Sequence, residues 1–252
     1  MDSQLLCRDV LEGLATLPAQ SVDVVLVDGP YALPWSNIGF HTRKDMNRPI
    51  GWDTMPFEDW RTLHDRVLTE AARVLRPGGQ VFLWSRFESA AHLHDLAVAQ
   101  GLTHRGTLIY RKRNPPPSVR KRTYRSAAEM LLWAVKGTGY TFHFGEQHDM
   151  TNVWDYPVVG GKERAAGGHH PTAKPVALTT RLLTTHTDPG ELVVIPFAGS
   201  GSECVAAHRL GRQFLAWERD PTYYAAARAW LVREGALPAP NNEETSKGAL
   251  EV

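Results

Sequence analysis

The stretch from Val22 to Tyr31 does most to constrain the fold: a nearly unbroken apolar run, Val22-Asp23-Val24-Val25-Leu26-Val27, leads directly into Asp28-Gly29-Pro30-Tyr31. A run of this kind reads as a strand buried on both faces, and the loops after such strands are where open α/β sheets hold ligands. An acid and an aromatic ring are therefore expected side by side at a binding crevice.

The rest of the chain supports such a sheet. Glu58 to Leu75 carries Trp60, Leu63, Val67, Ala71, Val74 and Leu75 at helical spacing, and Pro77-Gly78-Gly79 is expected to close that helix. Strands are predicted over Gln80–Trp84, Thr107–Tyr110, Glu129–Val135, Glu191–Ile195 and Gln213–Trp217, and helices over Glu88–Gln100, Pro175–His186, Ser202–Leu210 and Pro221–Glu234. This alternation predicts an α/β fold, doubly wound and mostly parallel, with helices on both faces. Residues 32–57 read as a long loop, 105–126 as a basic segment with a loop, 137–168 as an insertion carrying loops, and 236–252 as a polar, disordered tail after one domain spanning 1–235.

The net charge of the 252 residues is only +1, but it is unevenly spread. Between Thr103 and Ser126 lie Arg105, Arg111, Lys112, Arg113, Arg120, Lys121, Arg122 and Arg125 with no acid among them, a composition suited to phosphate contacts or to a solvated loop. No apolar run approaches the roughly 20 residues that span a bilayer. With no secretory start, a cytoplasmic protein without a membrane partner is expected. Cys7 and Cys204 lack paired spacing and read as buried bystanders, and the histidines show no metal-ligand pattern.

Downstream, Pro196-Phe197-Ala198-Gly199-Ser200-Gly201 joins a strand to a helix, a turn that brings bare backbone amides to a ligand. Cys204 stands where a dinucleotide fingerprint would place its third glycine, and Glu203 sits where a nucleoside triphosphate would place phosphate. A less anionic nucleoside remains, with Glu218 at the end of the next strand able to accept two ribose hydroxyls.

The three blocks Leu5 to Tyr31, Val153 to Lys174 and Glu191 to Pro221, in that order, resemble the β-class DNA amino-methyltransferases. The similarity runs from Leu5 to about Leu231. It implies a Rossmann-like class I methyltransferase fold with seven strands and permuted motif order, using S-adenosylmethionine, leaving S-adenosylhomocysteine and needing no metal. Matched position by position, it implies that Phe197, Ala198, Gly199, Ser200 and Gly201 surround the methionine part of the cofactor and that Glu218 takes its ribose. Asp9 would face the adenine end, and His170, Pro171, Thr172, Lys174 and Pro175 would close the pocket. Duplex DNA is the implied partner, in a setting compatible with restriction-modification, a cognate endonuclease and a homodimer.

The chemistry fits the tetrapeptide. An exocyclic amine on a base is a poor nucleophile, and a carboxylate with a backbone carbonyl gives its hydrogens two acceptors as it pyramidalises. Asp28 and the Gly29 carbonyl are the candidates, with Asp28 also near the cofactor. Tyr31, following Pro30, would stack on a flipped base, while Tyr110 is either its opposite face or a core tyrosine. Arg111, Lys112, Arg113, Arg120, Lys121, Arg122 and Arg125 are the candidate phosphate contacts.

The family tetrapeptide is Asp-Pro-Pro-Tyr, so Gly29 implies an acceptor held less firmly. Ile195 replaces a common acid, implying a missing polar contact or loop brace. An acid in the first tetrapeptide position is typical of adenine-N6 enzymes and serine of cytosine-N4 ones. The expectation is therefore adenine-N6 methylation by base flipping. The alternatives are cytosine-N4 methylation and a weak or inactive protein that binds DNA and cofactor. Cytosine-C5 chemistry is set aside, because it needs a cysteine nucleophile that adds to the ring, and neither Cys7 nor Cys204 follows a proline or falls near Asp28.

Overall fold

In a computed structural model, residues 2–31, 55–118 and 121–239 are described. Strands β1 (Gln4–Cys7), β2 (Val22–Val27), β3 (Leu75–Ser85), β4 (Thr103–Lys112), β5 (Ala128–Val135), β6 (Val153–Tyr156), β7 (Leu192–Ile195) and β8 (Gln213–Glu218) form one sheet. Their order is β1-β8-β7-β2-β3-β5-β4-β6. All pairings are parallel except those of β5 with β3 and β4.

Helices cover both faces. Along β2, Val25 and Val27 pack with residues of α1 (Val10–Ala15), α2 (Phe57–Val74) and α3 (Phe87–Ala99). The alternate residues Val24 and Leu26 pack with α5 (Val176–His186), α6 (Ser202–Arg209) and α7 (Pro221–Arg233). The period-2 alternation of a strand is thus apolar toward both layers, which explains the run that first marked β2.

The sheet has eight strands among the described residues, not seven. The extra edge strand β6 lies within the segment expected to be an inserted loop, which also carries α4 (Gly161–Ala166). With four residues and only Trp154 buried, β6 shows too little alternation to be read from sequence. Pro77-Gly78-Gly79 does not end α2; the chain enters β3 at Leu75, and the pairing with β2 shifts register there. Cys7, at the end of β1, is exposed and Cys204 is buried. Ala236 and Leu237 still pack on the core, while most of the expected tail and of the 32–57 loop lies outside the described residues.

Strand direction decides what meets what. Strands β2 and β7 are adjacent and parallel, β7 next continues outward to β8, and β2 crosses to β3 on its other side. The crevice beyond their carboxyl ends is a topological switch point. Because β5 is antiparallel to both β3 and β4, β4 runs with β2. The basic connection after Lys112 therefore leaves from the same sheet edge as Asp28.

Candidate active site

A cavity of about 380 Å³ opens at this switch point, lined by Asp28, Gly29 and Pro30 after β2 and by residues 196–200 after β7. Its far side is formed by Asp9, Glu218 and Asp220. Among the residues assigned by resemblance, His170, Thr172 and Lys174 also line it.

The β7–α6 loop is built for close approach. Gly199 (φ +49°) and Gly201 (φ +80°) adopt left-handed backbone. A Cβ on Gly199 would come within 3.1 Å of the His170 ring. Ser200, Ser202 and Ala198 are buried in the turn, and Gly201 caps α6. The loop is braced from β8: Ala198 N donates to the Trp217 carbonyl at 2.8 Å, and Gly199 N donates to Glu218 Oε2 at 2.8 Å. This carboxylate therefore supplies the kind of brace that Ile195, fully buried at the end of β7, cannot. Its second oxygen accepts from Asp220 N at 2.8 Å. Burial raises the Glu218 pKa despite these amide bonds.

Asp9 caps α1, accepting from Leu11 N at 2.9 Å. His170 packs edge-on against Tyr223, and burial lowers its pKa to about 4, so its ring is neutral. Pro175 precedes α5 and delivers Lys174 into the core.

Lys174 is the centre of the polar cluster. Its Nζ lies 2.7 Å from both Asp28 oxygens, 3.1 Å from the Tyr31 hydroxyl and 3.3 Å from Glu129 Oε2. The Tyr31 hydroxyl donates to Asp28 Oδ1 at 2.9 Å. On the other side of Glu129, Lys112 Nζ is 2.5 Å away. Burial would lower the Lys174 pKa, but Asp28 and Glu129 hold it well above the usual lysine value. Burial likewise opposes the charge on Glu129, and Lys174 and Lys112 outweigh it and hold that pKa low. At Asp28 the balance falls the other way, with burial raising the carboxyl despite Lys174.

Gly29 sits between two rings. A Cβ there would lie 3.0 Å from His64 Nε2 and 3.0 Å from Phe197 Cε2, so the missing side chain is filled by neighbours. Trp60 Nε1 donates to the Pro30 carbonyl at 2.7 Å, fixing the next peptide. The looser acceptor expected from glycine is thus opposed by packing. Among the described residues no donor reaches the Gly29 carbonyl.

Sequence reasoning missed Glu129, Glu203, His64 and Trp60. Glu129 opens an apolar strand, and a lone acid in that position was the available signal. Tyr110 is a core residue, 3% exposed, with its hydroxyl donating to the Pro157 carbonyl at 3.0 Å. Of the basic candidates, Arg111 pairs with Asp155, Lys112 with Glu129, and Arg125 with the Pro115 and Pro116 carbonyls. Arg113, Lys121 and Arg122 are exposed, and Arg120 lies outside the described residues.

Residues 22–229 match the N6/N4 DNA methylase family model. The type II methyltransferase M2.DpnII of Streptococcus pneumoniae is 27% identical over 241 residues, covering 91% of this chain and 90% of that protein. M.HinfI of Haemophilus influenzae is 26% identical over 255 residues, covering 95% and 70%. Among solved structures, the M1.HpyAVI–SAM complex superposes with a TM-score of 0.71 at 22% identity, covering 90% of this chain and 98% of that one. The cytosine-N4-specific PvuII DNA methyltransferase does so with a TM-score of 0.73 at 18% identity, covering 98% and 91%. At these identities the structures speak to fold. The family match itself spans both halves of the crevice, from the β2 strand end with Asp28 to the β8 strand end with Glu218, and the chain belongs to the N6/N4 DNA methylases.

Proposed function

We propose that this protein transfers a methyl group from S-adenosylmethionine to N6 of adenine in duplex DNA. The observation that carries the reading is that Asp28 and Gly29 line the switch-point cavity together with the glycine loop.

The residues fit the cofactor. The cavity lies within the roughly 300–1,000 Å³ of small-molecule sites. Glycine backbone lines one wall, Glu218 faces it from β8, and the buried Glu203 has an oxygen with no hydrogen-bond partner. Bound there, S-adenosylmethionine supplies a methyl carbon on a cationic sulfur, which leaves as a neutral thioether when the amine nitrogen forms the new C–N bond and gives up one proton. Phe197 to Gly201 hold the methionine part, with His170, Thr172, Lys174 and Pro175 closing over it and Asp9 beyond Glu218 toward the adenine.

An ionised carboxylate offers about four acceptor sites. Lys174 and Tyr31 use both sites of Oδ1, and Lys174 uses one of Oδ2. One site on Asp28 thus stays available to an amine hydrogen, and the Gly29 carbonyl takes the other. Lys174 favours the ionised, accepting form of Asp28 against the burial that raises its pKa. Tyr31, its hydroxyl tied to the same pair, offers a ring of fixed tilt to the flipped base. The arm from Arg113 to Arg125, leaving the same sheet edge, contacts phosphates through its exposed Arg113, Lys121 and Arg122.

The acid at position 28 favours adenine, and the likeness to a cytosine-N4 enzyme keeps that base as the second reading. Duplex DNA incubated with the protein and S-adenosylmethionine, then digested to nucleosides and weighed, is expected to contain N6-methyladenine. N4-methylcytosine in its place would overturn the choice of base, and wild-type activity no greater than that of Asp28→Ala would overturn the enzyme.

A further inference from the structure

Glu203 has no place in the chemistry above, yet it is one of the most deeply buried acids in the site. It stands in the first turn of α6, 3% exposed, lines the cavity, and its Oε1 has no hydrogen-bond partner. Trp84 Nε1, from β3, is likewise without a partner, although the indole N–H is near enough to favour the charged carboxylate. A buried carboxyl left in this state is costly unless something arrives to meet it.

The charges around it already cancel. Asp28 and Glu129 are balanced by Lys174 and Lys112. Among the described residues Glu203 forms no ion pair of its own. Burial and the nearby Asp28 accordingly push the Glu203 pKa well above the usual carboxylate value, which favours its neutral form. The groups facing it are Asp28 from the end of β2, Lys174 before α5, Trp84 from β3 and the buried Cys204 thiol of α6 itself.

We infer that Glu203 is a charge-matching carboxyl, neutral in the free protein and ionised opposite the cationic methyl donor, that makes the cavity prefer the donor over its demethylated product. The inference rests on the cofactor reading above. S-adenosylmethionine carries an ammonium, a carboxylate and a sulfonium, a net charge of +1 by its chemistry, and S-adenosylhomocysteine lacks the sulfonium and is neutral. Only the donor therefore brings the positive charge that the fifth group lacks. When the methyl group has gone to the amine, the sulfur is neutral, and the Glu203 carboxylate takes back one proton, matching the one the amine releases. Product binding is then weaker relative to donor binding, and turnover is favoured.

Calorimetric titration of the full chain with S-adenosylmethionine and with S-adenosylhomocysteine, in buffers of different ionisation enthalpy, tests this. Wild-type protein is expected to release up to one proton on binding the donor and none on binding the product. Its donor affinity is expected to rise with pH while its product affinity stays level. Glu203→Gln, which keeps the size and the neutral form, is expected to abolish the release and to shrink the donor-to-product affinity ratio by roughly tenfold. The wild-type proton count is independent of how any variant folds. No proton release together with an unchanged ratio in Glu203→Gln would overturn the inference. Failure of wild type to bind either ligand would instead overturn the cofactor reading, and the inference with it.

Discussion

Lys174 Nζ is equidistant, at 2.7 Å, from the two carboxylate oxygens of Asp28. This joins the strand end that opens the site to the segment before α5 that closes it. A lysine 3% exposed is held there by charge rather than by solvent, and removing one partner of such a pair leaves the other uncompensated.

Lys174→Met keeps the stem and removes the charge. Folding stability is expected to fall by about 3–5 kcal/mol in chemical denaturation, and methyl transfer by roughly 100-fold or more. Without Lys174 the Asp28 pKa, already raised by burial, rises further. Activity that needs Asp28 ionised is lost as pH falls through that pKa, so the acid limb of the pH–rate profile is expected to move to higher pH in the variant.

The space at Gly29 makes a second test. Gly29→Ala brings a Cβ to 3.0 Å from His64 Nε2 and Phe197. A cost of about 1–3 kcal/mol follows from overpacking. Adding His64→Ala is expected to relieve part of it, giving a coupling of about 0.5–3 kcal/mol in a double-mutant cycle. Additive effects would show that the two positions do not share the space.

Glu218 braces the loop and, in the proposed reading, also takes the ribose. Glu218→Ala is therefore expected to weaken donor binding at least about tenfold in a titration, by loss of charge-assisted hydrogen bonds. Turnover at saturating donor is expected to fall less.

The exposed arm residues are expected to act through phosphate charge. Lys121→Ala and Arg122→Ala should each lower the slope of log affinity for duplex DNA against log salt by about one, across DNA sequences alike. Donor affinity should be unchanged.

Two buried histidines make stability sensitive to acid. Burial lowers the His64 pKa from 6.5 to about 4 and the His186 pKa from 6.5 to about 3. Below pH 6.5 the unfolded chain takes up protons that the folded one refuses, so stability is full above 6.5 and falls as pH drops toward about 4 for His64 and about 3 for His186. The decline is up to about 1.4 kcal/mol per pH unit for each histidine. Denaturation at a series of pH values should show it, and His186→Gln, which keeps a donor for Gln80 Oε1, should lessen the slope.

The parts of this protein legible in its sequence are those where a local rule and the global fold agree. β2, β7 and β8 are apolar because both faces are covered, and the glycine loop is set by backbone that only glycine adopts readily. β6 was not legible, since its four residues owe their strand to pairing with β4 and not to their own pattern. The site was legible wherever a motif crossed a strand end. Its ion network was not, because Glu129 and Lys112 meet through the antiparallel pairing of β4 with β5, and Lys174 reaches them from the distant segment before α5. Gly29 was read as freedom, and the structure gives it a packing reason that no local pattern carries.

The contact between Gly29 and Phe197 bears on how such a chain can change over evolutionary time. The two loops lie far apart in sequence but share one van der Waals surface, with His64 as its third side. A substitution that enlarges any one of the three therefore presses on the other two.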